Sequence, residues 1–146
     1  MTSSTPFQET ISFLLTQVAK SHRHKAGQLL TEIELHPGQE MLLKTLGHLG
    51  NHATHSELAD ELNVKPATVS RMIDRLEQYG LVRRCKDEND QRVSLVHLTK
   101  TGQSYEVAID EMWCKLEETT TANLTTEERL ILRRLLLQIF NNLNAE

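Results

Sequence analysis

The chain has 146 residues, a formal net charge of -4, and only one Trp, two Tyr and three Phe. That length holds one domain with a real core rather than two, and the scarcity of aromatics argues against stacking of single-stranded nucleic acid. The two cysteines, Cys85 and Cys114, are far apart and form no CxxC motif, which speaks against a disulfide scaffold or structural zinc site and fits a reducing cytoplasm.

Taken in chain order, Met1 to Pro6 is polar and lacks the basic-then-apolar order of an export signal. Phe7, Ile11, Leu14, Leu15 and Val18 then recur at helical spacing, predicting an amphipathic first helix that frays near His22, Arg23, His24 and Lys25. A second helix is expected to start at Pro37, whose missing N–H is harmless in a first turn, and to end at Gly47 and Gly50. Thr54 with Glu57 forms a capping box for a third helix, Ser56 to Leu62, and Asn63 suits the left-handed turn after it. Pro66 opens a fourth helix with Val69, Ile73 and Leu76 inward and Gly80 as its stop. A short helix, a tight turn and a second helix make a helix-turn-helix unit.

After Gly80 the apolar period changes from helical to alternating, so Leu81 to Cys85 and Val93 to Leu98 read as a hairpin around the charged turn Lys86 to Gln91. Period-2 alternation puts Asp90 and Arg92 on one side of that hairpin, where the carboxylate can orient the guanidinium. An arginine held that way suits a narrow minor groove, where negative potential is concentrated. Thr99 caps a fifth helix expected to continue through Val107, Ile109, Met112, Trp113 and Leu116. Thr125 and Glu128 form a second capping box, for a sixth helix ending near Leu143. That helix is apolar on more than one face, which suggests burial against its own domain and against another chain. Its greasy stretch, Leu130 to Leu143, is broken by Arg133, Arg134 and Gln138, and no run approaches the roughly 20 apolar residues that span a bilayer.

An acidic chain is at face value a poor nucleic-acid binder, because phosphate neutralisation dominates that affinity. The distribution decides otherwise: between Lys65 and Arg92 seven bases face five acids, a local +2 on an acidic body. Thr68, Ser70, Arg71 and Arg75 lie opposite the apolar face of the fourth helix, so they are either groove-facing or a solvated surface. Arg71 has the reach for a bidentate contact to guanine, and Ser56 sits where helix N–H groups converge on a phosphate. Lys65, Arg83, Arg84 and Lys86 add phosphate contacts or are ordinary exposed residues.

Ser56-Glu57-Leu58-Ala59, Pro66-Ala67-Thr68-Val69-Ser70-Arg71, Leu76-Glu77, Gly80-Leu81-Val82, Asp90-Gln91-Arg92 and Leu98-Thr99-x-x-Gly102 form one ordered series. Together they resemble the MarR family of winged helix-turn-helix transcriptional regulators, over residues 7 to 143 and most strongly from Thr54 to Thr99. The resemblance implies a mainly α fold with a small β-hairpin wing, organised as a single MarR-type domain over 1–146. Within it a winged region would span 37–99, with the helix-turn-helix at 54–79 and the wing at 81–98. Residues 7–30 and 101–143 would form a helical dimerisation region through Phe7, Ile11, Leu14, Leu132, Leu136, Ile139, Phe140 and Leu143. It also implies a homodimeric, cytoplasmic repressor bound to palindromic double-stranded DNA and released by a small molecule, commonly an aromatic acid or phenol. Two departures weaken phosphate attraction: Gln91 stands where the family often has arginine, and Asp87-Glu88 replaces the usual Asp-Pro.

Other readings stand beside this one. The acidic charge also suits a winged-helix protein-interaction module that does not bind DNA. His48, His52 and His55 have ligand-like spacings, but Gly50 and Asn51 interrupt the helix and Thr54 caps a new one, so solvated loop histidines compete with a metal-responsive regulator. Cys85 and Cys114 are packing residues or redox sensors; relatives that sense oxidants carry a reactive cysteine in the first helix, and this chain has none there. No nucleophile elbow, phosphate loop or HExxH points to an enzyme or to a cofactor.

Overall fold

In the computed structural model, residues 6–146 are described. A 3-10 turn, Phe7–Glu9, leads to Thr10, whose hydroxyl accepts the Phe13 N–H at 3.1 Å and starts α1, Ile11–Glu32. This helix does not fray at His22 to Lys25 as expected. It runs straight through the basic cluster because the packing that holds it lies further on, where Leu29 and Leu30 are buried.

The second helix, α2, is Gln39–His48 and starts two residues later than expected. Gly38 precedes it at φ +93°, a conformation only glycine enters cheaply, so Pro37 cannot belong to the helix. The Gln39 side chain folds back to accept the His36 N–H at 2.9 Å, doing the capping that Gly38 cannot. Gly47 lies inside the helix and does not end it.

Three strands form one antiparallel sheet in the order β1-β3-β2: β1 His52–Thr54, β2 Val82–Lys86 and β3 Ser94–Leu98. The hairpin strands match expectation to within a residue at each start, but β1 does not, since His52 to His55 had read as loop. Its three residues are too few for an alternation signal. It exists because β3 offers a free edge, with Ala53 opposite Val96 and both buried.

Between β1 and β2 lie α3, His55–Leu62, and α4, Pro66–Gln78. The capping box of Thr54 and Glu57 is formed in both directions, Asn63 takes the left-handed conformation at φ 52°, and Pro66 opens α4. Leu58, Val69, Ile73 and Leu76 are fully buried with Leu42 and Leu46 of α2, so the helix-turn-helix is clamped onto the second helix and the sheet.

The expected long fifth helix is two helices, α5 Lys100–Ser104 and α6 Glu106–Thr120, separated at Tyr105. The constraint lies at Gly102: a Cβ there would come within 2.1 Å of the Leu81 carbonyl oxygen and 2.6 Å of Leu98 Cδ1. The first turn is thus pressed against the start of the wing, while Ile109, Met112 and Leu116 of α6 are buried on the other side of the break. The last helix, α7 Thr126–Leu143, carries its own complete capping box yet buries no residue in this chain.

Candidate nucleic-acid interface

Burial of Val69, Ile73 and Leu76 fixes the rotation of α4, so the opposite face is decided by geometry rather than charge. It presents Arg71 and Arg75, both exposed, with Lys65 exposed at the N-cap and Thr68 half-buried beside them. The Arg71 Nε donates to the Ala67 carbonyl at 3.5 Å, a long bond that leaves the guanidinium end free. Ser56 is exposed in the first turn of α3. Of these residues Thr68, Arg71 and Arg75 line one depression at the surface of α4.

Ser70 and Arg84 are placed differently. Ser70 is half-buried, with its Oγ 3.5 Å from Nδ1 of His55 at the start of α3. The Nε2 of His55 is buried without a hydrogen-bond partner, and burial first, then the charge of Arg84, push its pKa below the ordinary histidine value. Arg84, read as a phosphate contact or an exposed strand residue, is half-buried and paired within the chain. Its guanidinium reaches back across the sheet to Asp74 and, at 3.0 Å, to Glu77, and it donates to the Ser70 carbonyl at 3.4 Å. Glu77 also accepts the backbone N–H of Arg84 at 2.8 Å. The hydrogen bond to Asp74 is the main reason the guanidinium holds its proton more firmly than a free arginine.

Arg84 thus ties β2 to α4. Asp74 and Glu77, which in sequence only diminished the local charge, are its anchors. The spacing of seven between Glu77 and Arg84 across a glycine stop is the one sequence signal that could have shown it. Arg83 and Lys86 remain exposed on β2.

At the wing tip, Asp90 and Arg92 are paired, with Arg92 Nε donating to Asp90 Oδ1 at 3.2 Å. The cause is not strand alternation, for both residues lie in the turn before β3. Asp90 Oδ1 also accepts the Arg92 backbone N–H at 3.0 Å, and Asp87 Oδ1 accepts the Asn89 N–H at 2.8 Å, two side chains acting as turn closures. The tip carboxylates are therefore partly spent on holding the turn. The Arg92 side chain is 92% exposed and projects beyond them.

The remaining candidates separate clearly. His52 and His97 face each other across β1 and β3 with ring centroids 5.7 Å apart, so His52 is a strand residue. Among the described residues no group of three or more His, Cys, Asp or Glu is arranged to hold a metal ion. Cys85 is half-buried and Cys114 exposed, neither in a disulfide. Phe7, Ile11, Leu14, Leu132, Leu136, Phe140 and Leu143 are all exposed and Ile139 half-exposed. Among the described residues no helix is long and apolar enough to cross a membrane.

Residues 35–94 match the family model described as the MarR family. The chain is 34% identical over 115 residues to the uncharacterized HTH-type transcriptional regulator YwoH of Bacillus subtilis (strain 168), a match covering 79% of this chain and 82% of YwoH. It is 30% identical over 102 residues to the uncharacterized HTH-type transcriptional regulator YdgJ of the same strain, covering 70% of this chain and 62% of YdgJ. A crystal structure of a mutant MarR from E. coli complexed with operator DNA is similar at a TM-score of 0.81 and 28% identity, covering 93% of this chain and 99% of that one.

Proposed function

Because the chain belongs to the MarR family of DNA-binding transcription regulators, which are not enzymes, we propose that it acts as a homodimeric repressor on palindromic duplex DNA. Exposed cations at two separate places carry the reading: Lys65, Arg71 and Arg75 on α4 and its N-cap, and Arg92 at the wing tip. A helix face of that size enters the major groove, and a single extended arginine suits the neighbouring minor groove. Arg83 and Lys86 flank the groove as phosphate contacts, and Thr68 and Ser56 add short polar groups.

Self-association is supported by α7. An 18-residue helix that buries nothing in its own chain would leave Leu130, Leu136, Phe140 and Leu143 in water, each forgoing about 1.5–3 kcal/mol of burial. Exposed Phe7, Ile11 and Leu14 at the other end of the chain supply a matching apolar surface. Two copies joined there carry two winged units, and a palindrome with half-sites about one helical turn apart reads their spacing.

Release by a small molecule is supported by a cavity of about 600 Å³ between α1, the start of α2 and α6. Filling it would move the helices that carry the dimer surface relative to those that hold α4, and so shift the two recognition helices.

The experiment is selection of bound duplexes from a random pool, followed by titration of the best palindrome at several salt concentrations with the mass of the complex measured. A dimer whose log affinity falls linearly with log salt, at about 0.9 per phosphate contact, is expected. Affinity that ignores salt would overturn the DNA reading, and a monomeric complex would overturn the dimer.

A further inference from the structure

His52 of β1 and His97 of β3 are direct partners in the antiparallel register, with ring centroids 5.7 Å apart and planes inclined at 36°. Strand alternation explains why they share a face. Ala53 and Val96, their chain neighbours, are buried toward the helices, so the two imidazoles lie on the outer side of the sheet. There His52 is exposed and His97 half-buried. The contacts proposed for DNA do not use this pair. Two imidazoles bonded to one tetrahedral ion at about 2.0–2.1 Å hold their ring centres about 5 Å apart. The observed separation is only slightly wider, a difference that small side-chain rotations close, and the paired strands hold both rings in place beforehand.

The surrounding groups decide which ion fits. None of the three strands carries a carboxylate, so the site lacks the oxygen ligands that calcium and magnesium require. His55 is not a third ligand, because its Nε2 is buried and its Nδ1 lies against Ser70. Arg83 of β2 stands opposite His97 in register, and the next rung on the same face is Thr54, Leu95 and Cys85. We propose that His52 and His97 form a two-imidazole site for a divalent transition metal of the nickel, copper and zinc group, with water completing the coordination. A pair of nitrogen donors favours Cu2+ over Ni2+ and Zn2+. Arg83 places a like charge beside the ion and lowers its affinity. A bound ion would join β1, which feeds α3 through Thr54, to β3, which returns from the wing. The site belongs to the free chain and does not depend on the DNA reading.

The test adds Cu2+, Ni2+ or Zn2+ to the full chain without DNA, with calorimetry reading the affinity and Cu2+ broadening of backbone amide signals reading the place. Cu2+ is expected to bind at about micromolar strength and the other two more weakly. Broadening should centre on residues 51–53 and 96–98, a readout on the unaltered protein that does not depend on any variant folding. His52→Gln and His97→Gln should each weaken Cu2+ about tenfold or more, a loss of about 1.4 kcal/mol. His48→Gln and His22→Gln should leave it unchanged, and Arg83→Gln should tighten it by removing the like charge. Broadening centred on His22 and His24 or on His48, or Cu2+ affinity unchanged in both His52→Gln and His97→Gln, overturns the site. So does a loss in Cys85→Ser as large as in the histidine variants, which would put a thiolate in place of the imidazole pair. Failure of all three ions to bind overturns it as well.

Discussion

Replacing Arg84 by alanine distinguishes an arginine that touches DNA from one that holds the protein in shape. The side chain makes two ion pairs, to Asp74 and Glu77, and one long hydrogen bond to the Ser70 carbonyl, while being 30% exposed. Partly exposed pairs contribute about 0.2–1 kcal/mol each after screening, so the loss of stability should be about 1–2 kcal/mol. For a chain of this length that corresponds to a fall in Tm of about 2–6 °C. Operator affinity should also fall, because Asp74 and Glu77 lose their counter-charge and the wing loses its anchor on α4. The number of phosphates neutralised should not change, so the slope of log affinity against log salt should stay as it was. Thermal unfolding and a salt titration therefore read the two roles separately. Glu77→Ala should reproduce the stability loss without removing a cation, and a double-mutant cycle with Arg84→Ala should show coupling. An Arg84→Ala protein with unchanged Tm and a salt slope reduced by about 0.9 would refute the clasp and restore the direct contact.

Arg92→Ala should do the reverse, lowering affinity for every duplex and the salt slope by about 0.9 while leaving Tm unmoved; unchanged operator affinity would remove the wing contact. Arg71→Ala should relax base preference at one position in each half-site, a discrimination of about 1–3 kcal/mol, and an unaltered selected consensus would confine Arg71 to the backbone. Gly102→Ala should cost about 3 kcal/mol or more, since its Cβ would meet the backbone oxygen of Leu81; near-normal unfolding in urea would contradict the close packing of α5 on the wing. His55 has a folded pKa below its ordinary value, so the unfolded chain binds more protons and stability should be lost as pH falls from about 6.5 toward the lower folded value. The difference in Tm between wild type and His55→Asn, followed from about pH 7.5 to about pH 5.5, should narrow with acid, and a constant difference would show that His55 does not titrate on unfolding.

The helix-turn-helix and the hairpin could be read directly because their signals are local. Thr54 and Glu57 close a capping box over three residues, Asn63 and Gly80 take positive φ where the turns require it, and the periods of α4 and the two wing strands follow from which side chains are buried. The motif series from Ser56 to Gly102 carried the family assignment for the same reason. Each piece is short, and its residue types are set by backbone chemistry.

What the sequence could not supply were contacts between distant parts of the chain. Strand β1 exists only because β3 presents an edge to it, and α5 breaks from α6 because Gly102 must lie against Leu81, twenty-one residues earlier. The basic stretch from Lys65 to Arg92 read as a basic footprint in which the parts of Arg83, Arg84 and Lys86 stayed open, and folding divides it. Arg84 turns inward to Asp74 and Glu77, while Arg71, Arg75 and Arg92 stay in solvent. Net charge is a sum over residues and survives any arrangement, so it is fixed by sequence alone. Which charges remain available to a partner depends on which find one another first, and that is decided by the packing of α4 against the wing.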